Sequence, residues 1–541
     1  MADADNSTDV IKGLDALFAP WNRTDAPGLV VGVAHRGEVL YRRGFGMASL
    51  EQAAANAPHT RMRIGSTTKH FTCLAALLLA EEGKLDIDAG VRTYIPELPP
   101  LAGDPTLRQL MSHTGGYRCY LDVSMLSNGS TILPKGASLD YMTRQNAANF
   151  APGEEMIYCN GGYLLISIAI ERVSGLGLRA FLDERILKPM GMVDTALVPS
   201  DLEILAGAAT LHVVTPEGIR RGIFPSEEVL GEGGMVSTID DMLTWLEHLR
   251  KPKNLGGTDT WRQMMTRAGY NSGAGGNYCL GLMRNSYRGL DTVHHAGGVF
   301  GGASQMLTVP DHELDIIIMT NRSDVSPPEL ADRVVDIVLA AHLGPAPTFL
   351  DVETGKALLG RYFSLRTRVL YSISKNEAGF GLRINNNQGR PLPIRPADGK
   401  LIADPGSMSA ITISGADLAA EEPPESLVFS VAGKSDDYLR LSDTAPPAAG
   451  LAGDYENIDT DSRARITLED GGLVMEVAGR RGRARYELKP LSDEVLLFRS
   501  APMSGCLVVE RADGAVTGVE MNTARTRHLL FTRKAMAAVA A

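Results

Sequence analysis

A strongly helical run begins at Ser66-Thr67-Thr68-Lys69, continues to Glu82 and stops at Gly83. Residues three apart lie on one face of a helix, so Lys69 is placed one turn from Ser66, close enough to take its proton or to polarise the group that does. Ser66 also lies at the helix N-terminus, where free backbone N–H groups and the helix dipole stabilise developing negative charge. The segment therefore predicts a nucleophile, a basic partner and half of an oxyanion hole within four residues.

The spacing alone is weak evidence, because Ser and Lys three residues apart are expected about once by chance in a chain this long. A second copy occurs at Ser372-Ile373-Ser374-Lys375. That copy lies in a strand-like segment, where residues three apart point to opposite faces and cannot cooperate. The alternative for Ser66 is an N-cap followed by a solvated first-turn lysine.

A second candidate element is Tyr158-Cys159-Asn160, which follows a turn signal at Phe150-Ala151-Pro152-Gly153. An apolar helix is predicted from Tyr163 to about Val173, so the element is expected on a loop before a helix. The phenolate form of Tyr158 can be favoured by Lys69 and act as a general base. Asn160 offers an amide that can hold a substrate amide in register. The alternatives are a packed tyrosine ring and a helix-capping asparagine.

A third candidate element is His295-Ala296-Gly297-Gly298. Strand-like runs around Met306–Pro310 and Leu314–Thr320 follow it, which predicts an antiparallel sheet with glycines where a ligand must come close. His113-Thr114-Gly115 is a competing copy, interpreted as a turn after a helix. A metal pair at His294 and His295 has no supporting His-Glu-x-x-His motif or cysteine pair.

With these three elements in order, residues 10–343 resemble the family of serine β-lactamases, penicillin-binding proteins and related serine peptidases and esterases. The residues that carry the resemblance are Ser66 and Lys69, Tyr158 and Asn160, and His295 and Gly297. The segments 110–115 and 233–242 look similar as well. The resemblance implies an α+β fold, in which an antiparallel sheet flanked by helices packs on an α-helical subdomain and the site lies between them.

The composition fits a globular enzyme. The chain has 541 residues, 44% hydrophobic and 22% charged, so two or three domains are expected. The net charge of -11 argues against nucleic acid or an anionic membrane surface as a partner, and no apolar run is long enough to span a bilayer. The five scattered cysteines are expected to be reduced core residues. A nucleophilic role for Cys159 is an alternative, but no separate Cys–His arrangement in the sequence supports it.

The start, Met1-Ala2-Asp3-Ala4-Asp5, lacks the basic and apolar segments of a signal peptide. A full-length chain is therefore expected in the cytoplasm, and a chain that has lost a leader is expected in the periplasm. A homodimer is compatible with the sequence, which does not decide the oligomeric state.

Two linker-like segments divide the chain, Gly344–Pro347 and Ser442–Gly450. The segments that follow them begin alike, with Leu358-Leu359-Gly360-Arg361-Tyr362 and Leu451-Ala452-Gly453-Asp454-Tyr455. Each then continues with short alternating runs, which predicts a repeated small antiparallel β-barrel. The expected domains are a hydrolase domain at 1–343, a first barrel at 348–443 and a second barrel at 450–541.

This architecture resembles the D-aminopeptidases of the family. In them a loop of the final barrel reaches the active site, where an acidic group helps to receive the free amine of the substrate. The expected loop here is Arg499–Cys506, which has no carboxylate. That departure predicts a more open site that accepts longer peptides.

The resemblance implies an acyl-enzyme mechanism. Ser66 attacks a carbonyl, Tyr158 with Lys69 moves the proton, and the N–H groups of Ser66 and Gly298 hold the oxyanion. His295 replaces the lysine that many relatives have at this position. A histidine is only partly charged near neutral pH, so it is expected to bind a substrate carboxylate less firmly. This argues against β-lactamase or strict carboxypeptidase activity. No metal or organic cofactor is needed.

The expected activity is hydrolysis of peptide or amide bonds after a D-residue, on a small peptide or amide substrate. One specific candidate is the family member that cuts linearised microcystin after D-Ala. The alternatives are a strict D-aminopeptidase, a promiscuous esterase and a non-catalytic sensor that only becomes acylated.

Overall fold

The fold is that of a computed structural model, which describes residues 2–101, 103–252, 254–346, 348–350, 353–376, 379–387, 391–397, 400–403, 410–442, 445–446, 449–500 and 502–534.

Helices make up much of the first 340 residues. They are α1 (Ala2–Phe18), α2 (Lys69–Glu81), α3 (Leu107–Met111), α4 (Tyr120–Asn128), α5 (Ala137–Thr143), α6 (Asn160–Ser174), α7 (Leu178–Leu182), α8 (Lys188–Met190), α9 (Ile239–Arg250), α10 (Thr258–Met264) and α11 (Pro327–Val338). A 3₁₀-helix at Gly65–Thr68 leads directly into α2, and a π-helical segment at Asp183–Leu187 joins α7 to α8.

The strands of the same region are β1 (Leu29–His35), β2 (Glu38–Phe45), β3 (Met47–Ser49), β4 (Ala54–Ala55), β5 (Met62–Arg63), β6 (Ala196–Leu197), β7 (His212–Thr215), β8 (Gly218–Arg221), β9 (Met235–Ser237), β10 (Met283–Tyr287), β11 (Leu290–Val299), β12 (Gly302–Val309) and β13 (Leu314–Thr320). Within the described ranges, six of them form an antiparallel sheet in the order β10-β11-β12-β13-β1-β2. The sheet predicted after His295 is therefore confirmed.

The sheet has a helix layer on each face. One face packs on α1 and α11 through residues such as Leu14, Ile316 and Val334. The other face joins the core of the α-helical subdomain, where α2 is buried along its length from Lys69 to Leu79. Because α2 is apolar nearly all round, it is a core helix and not an amphipathic surface helix. This position explains why Lys69 is inside the protein.

Two antiparallel β-barrels follow, as the repeat in the sequence predicts. The first has strands β14 (Gly360–Ser364), β15 (Val369–Asn376), β16 (Gly379–Ile384), β17 (Leu392–Ala397), β18 (Lys400–Ala403), β19 (Ile411–Ser414), β20 (Ser426–Val431) and β21 (Lys434–Leu441). The second has β22 (Gly453–Asn457), β23 (Ser462–Glu469), β24 (Gly472–Ala478), β25 (Arg483–Pro490), β26 (Val495–Ser500), β27 (Met503–Ala512), β28 (Ala515–Asn522) and β29 (Leu529–Arg533). Over the described residues each set of eight strands closes on itself.

The two repeats have the same internal contact. The hydroxyl of Tyr362 donates to the carbonyl of Leu358 at 3.2 Å, and that of Tyr455 donates to the carbonyl of Leu451 at 2.5 Å. Both tyrosines are buried in their barrels. The matching openings of the two segments are therefore matching pieces of barrel core.

The second barrel packs on the α-helical subdomain. Arg118 and Asp459 form a fully buried ion pair across this contact, with Arg118 Nη2 and Asp459 Oδ2 2.6 Å apart. The Tyr486 hydroxyl donates to the carbonyl of Leu126 at 3.0 Å. The barrel is thus fixed next to the helices that border the site.

The expected domain limits at 343, 348, 443 and 450 stay predictions. Part of each linker lies outside the described residues, namely Pro347 in the first and Asp443, Thr444, Pro447 and Ala448 in the second. Met1 and residues 535–541 lie outside them as well. The five cysteines are all described, and each is a buried free thiol, as expected. Among the described helices, none is both long and apolar enough to cross a membrane.

Candidate active site

A cleft of about 1050 Å³ lies where the sheet, the α-helical subdomain and both barrels meet. It contains most of the predicted site residues, which are Ser66, Tyr158, Asn160, His295, Gly297 and Gly298. Lys69 lies beneath Ser66, out of contact with solvent. The tertiary structure therefore brings the three separate sequence elements together at one place.

Ser66 and Lys69 have the relation that their spacing predicts. Ser66 lies in the 3₁₀-helical turn and Lys69 is the first residue of α2, so the two side chains lie on one face. Lys69 Nζ is 3.2 Å from Ser66 Oγ, 2.9 Å from Asn160 Oδ1 and 2.5 Å from the carbonyl oxygen of Glu232. The competing Ser372 lies in β15, where Lys375 is exposed and Ser372 is not.

The environment of Lys69 favours a neutral amine. Burial lowers the pKa of Lys69, the charge of Glu232 acts against this, and the charge of Arg525 lowers the pKa further. A neutral amine has two hydrogens and one lone pair. Asn160 Oδ1 and the Glu232 carbonyl can only accept, so they take the two hydrogens, and the lone pair is left for the proton of Ser66.

Tyr158 lies over this pair. Its ring centroid is 4.7 Å from Lys69 Nζ, and its buried hydroxyl has no hydrogen-bond partner of good geometry in the described part of the chain. Burial raises the pKa of Tyr158, although nearby Ser66 and Arg525 act to lower it. The expected preference for the phenolate is therefore wrong for the free enzyme, because the loss of hydration outweighs the neighbouring charges. Tyr158 is a neutral hydroxyl that can relay a proton.

Asn160 is the first residue of α6, not part of a loop, because this helix begins three residues before the expected Tyr163. The C-terminus of α6 is capped by Gly175 in the left-handed conformation, at the position where the sequence pattern predicts the end of the helix. Because Asn160 Oδ1 accepts from Lys69, the remaining amide hydrogens are the part of Asn160 that a substrate can use.

His295 is buried and neutral. Its Nδ1–H donates to the carbonyl of Ala296 at 2.6 Å, and its Nε2 accepts from the hydroxyl of Tyr278 at 2.8 Å. Burial holds the pKa of His295 well below its usual range, and the charge of Lys69 lowers it further. The expectation of a partly charged histidine is therefore wrong. His294 beside it contacts Asn285 and Gln305.

The glycines of β11 allow a close approach to the Ser66 turn. A Cβ on Gly297 would lie 1.9 Å from the carbonyl oxygen of Ile64, and a Cβ on Gly65 would lie 2.8 Å from the backbone nitrogen of Gly298. Gly65 has φ +53°, which favours glycine. The N–H groups of Ser66 and Gly298 therefore belong to two backbone segments that touch, as a two-donor oxyanion hole requires.

Comparison with protein families matches residues 10–340 to the Beta-lactamase family. The chain belongs to the Beta-lactamase family. The D-aminopeptidase of Cereibacter sphaeroides is 27% identical over 541 residues, which cover 96% of this chain and 98% of the relative.

Two solved structures share the fold. The octameric penicillin-binding protein homologue from Pyrococcus abyssi has a TM-score of 0.54 at 19% identity and covers 90% of this chain and 100% of its own. The D-amino acid amidase from Ochrobactrum anthropi SV3, complexed with L-phenylalanine amide, has a TM-score of 0.53 at 22% identity and covers 62% of this chain and 99% of its own. The protein is a β-lactamase-like serine hydrolase.

Sequence patterns do not identify Glu232 and Tyr278, which also belong to this β-lactamase-like site. Glu232 is buried, accepts from the Tyr120 hydroxyl at 2.8 Å, and influences the pKa of Lys69. Burial raises the pKa of Glu232 itself. Its position directly before the glycines of the segment 233–242 is the only sequence feature that could have identified Glu232 as a site residue. Tyr278, the partner of His295, stands in no recognisable motif.

His113 is a turn residue, as expected, with φ 61° after α3. It nevertheless borders the site. Its ring centroid is 4.0 Å from that of Tyr158, and its Nδ1 accepts from the backbone N–H of Cys159 at 3.1 Å. A hydrogen bond with Cys119, together with burial, keeps the pKa of the Cys159 thiol well above its usual range, which opposes its use as a nucleophile.

The loop of the second barrel that reaches the β-lactamase-like site is not Arg499–Cys506. That segment belongs to β26 and β27, apart from its tip, where Ala501 lies outside the described residues. Cys506 packs against the first barrel. The segment Thr523–His528, between β28 and β29, extends to the cleft instead and carries Arg525 there. The docking of the barrel on the α-helical subdomain, which alternation within the strands does not determine, decides which turn faces the site.

Proposed function

We propose that this chain is a serine peptidase or amidase that hydrolyses bonds after a D-residue through an acyl-enzyme. The observation that carries the proposal is the buried Lys69, whose amine lies 3.2 Å from Ser66 Oγ and is held by two acceptors. D-Residue preference is inferred from the D-aminopeptidase relative.

Acylation begins when Ser66 attacks the substrate carbonyl and its proton passes to the neutral Lys69. The carbonyl oxygen becomes an oxyanion that accepts from the N–H groups of Ser66 and Gly298, each worth about 3 kcal/mol in comparable enzymes. The leaving nitrogen takes a proton from the Tyr158 hydroxyl, which regains one from Lys69. Water then attacks the ester on Ser66, with the same groups moving the proton in reverse order.

The cleft is expected to be open on the side of the acyl group. The loop Thr523–His528 contains no carboxylate, so it cannot receive a free amine as a counter-charge. Asp122 also lines the cleft, but it accepts from the Thr523 hydroxyl at 3.2 Å and burial raises its pKa. A carboxyl group that tends toward neutrality is a poor partner for an ammonium group.

The proposed substrate is a peptide with residues on both sides of the cut bond, and linearised microcystin, with its scissile bond after D-Ala, is a specific candidate. An acetyl cap on a D-alanyl peptide is expected to change kcat/KM little. Recognition of the free amine by a buried charge would make the same cap cost about 2–5 kcal/mol. An acetylated peptide that stays uncut beside a rapidly cleaved free-amine peptide would show a strict D-aminopeptidase.

The same experiment separates the other functions. L-Alanyl peptides test the D-residue preference, and an acetyl ester tests the esterase alternative. One-to-one labelling of Ser66 without turnover would show an acylated sensor. Ser66→Ala is the control for every substrate. The cellular compartment and a homodimer stay predictions.

A further inference from the structure

Arg525 is the charged residue that the second barrel adds to the cleft. Its side chain is exposed to the cleft, and its guanidinium carbon lies 5.3 Å from the centroid of the Tyr158 ring. Tyr158 is the residue over the Ser66–Lys69 pair, so the positive charge lies close to the bond that is cut.

The loop that carries Arg525 is held from both sides. Asn149 of the α-helical subdomain donates to the carbonyl of Arg525 at 3.0 Å and accepts from the N–H of Arg527 at 2.8 Å. Asn385 of the first barrel donates to the carbonyl of Thr523 at 2.8 Å. The hydroxyl of Thr523 in turn accepts from the N–H of Arg525 at 3.2 Å. The backbone of Arg525 is therefore fixed by contacts with two other parts of the chain, as a preorganised binding group requires.

The neighbouring arginines already have acidic partners. Arg118 pairs with Asp459 at 2.6 Å, and Arg527 on the same loop pairs with Glu155 at 3.0 Å. Arg525 forms no direct ion pair with an acidic residue in the described ranges; burial acts to lower its pKa, and the charge of Asp122, which also lines the cleft, acts to raise it. Its planar group presents several N–H donors suited to a carboxylate.

We infer that Arg525 is a specificity-determining residue that binds a carboxylate of the substrate next to the scissile bond. The inference rests on the proposed peptidase function and assigns it an acidic substrate class. The position follows from the distances. The ring of Tyr158 separates Arg525 from the Ser66–Lys69 pair, and one peptide residue spans about 3.5 Å, so the carboxylate belongs to a residue close to the scissile bond. His295 is neutral and both its nitrogens are engaged, so it does not compete for the carboxylate.

The carboxylate has two possible sources. It is either an acidic side chain at, or just before, the D-residue, or the C-terminal carboxylate of a one-residue leaving group. Three pairs of acetylated peptides separate these sources, each with the acid at one position and its amide isostere as reference. The readout is the ratio of kcat/KM for acid and amide within each enzyme, which cancels any general loss of activity.

The wild-type enzyme is expected to prefer the acid at one of these positions by about tenfold or more, since charge-assisted bonds are roughly twice as strong as neutral ones. Arg525→Gln should bring the ratio close to one, Arg525→Lys should keep part of it, and Arg525→Glu should reverse it. Arg463→Gln is the matched control, because Arg463 is an exposed arginine of the same barrel outside the cleft. If Arg525 had a purely structural role, the Arg525→Lys variant would not be expected to keep part of the acid preference.

A ratio near one at every position in the wild type, with the amides hydrolysed, would overturn the inference and leave the peptidase proposal standing. An acid preference that persists in Arg525→Gln would overturn it as well. Failure to cut both these acetylated peptides and their free-amine counterparts would instead refute the proposed function. In that case, calorimetric binding of the acid and amide pairs to Ser66→Ala, with and without Arg525→Gln, tests the carboxylate site by itself.

Discussion

Replacement of Gly297 by alanine should damage the oxyanion hole without touching the nucleophile. The added Cβ would lie 1.9 Å from the carbonyl oxygen of Ile64 and 2.4 Å from Ser304 Oγ. A relaxed carbon–oxygen contact is about 3.3 Å, so β11 and the Ser66 turn must separate by about 1.4 Å. A hydrogen bond of about 2.9 Å from Gly298 to the oxyanion would then exceed 4 Å and be lost. Loss of one such donor lowers kcat about 100- to 1000-fold.

The assay is steady-state hydrolysis of an acetylated D-alanyl amide, with thermal unfolding to show that Gly297→Ala still folds. Gly298→Ala is the comparison, because it adds the same methyl one residue later. There the Cβ meets no atom within 4 Å and leaves the backbone in place. Its kcat should fall less than about tenfold, far below the loss of an oxyanion donor. Equal activity of Gly297→Ala and the wild type, or an equal loss in the two variants, would refute the reasoning.

Three further predictions concern the groups that move the proton. Ser66→Ala should abolish turnover and keep the fold, whereas Ser372→Ala should be nearly silent; more than a few percent residual turnover in Ser66→Ala would reject Ser66 as the nucleophile. Tyr158→Phe removes the relaying hydroxyl and should slow single-turnover acylation at least about a hundredfold, the scale of a lost proton-transfer group; a change in substrate affinity alone would make Tyr158 a binding residue. Burial lowers the pKa of Lys69 and the charge of Glu232 partly restores it, so Glu232→Gln should lower that pKa further. Neutral Lys69 then persists to lower pH, and the acidic limb of the kcat/KM profile should move to lower pH; a move to higher pH, or none, would contradict this assignment.

Local patterns were enough to predict a large part of the fold. Ser66 and Lys69 lie within one turn, so their proximity depends on a helix and not on packing. The strands around His295 and the repeated openings at Leu358 and Leu451 follow from alternation and turn residues in the same way. The ends of the helices were predicted less accurately, since α6 begins at Asn160, where a loop was expected.

The sequence by itself placed Ser66 and Lys69 one turn apart and indicated the two barrels, because each of these rests on contacts between near neighbours in the chain. The α+β class followed from the family resemblance that the three ordered site elements carry. Only the tertiary structure decided which loop enters the cleft and which charges meet there. Arg525 reaches Tyr158 across more than half of the chain, and Glu232 approaches Lys69 from a position directly before the segment 233–242. The protonation states of Tyr158 and Lys69 were decided by the fold as well, because burial removes the hydration of a charged group, and no residue pattern states how deeply a side chain is buried.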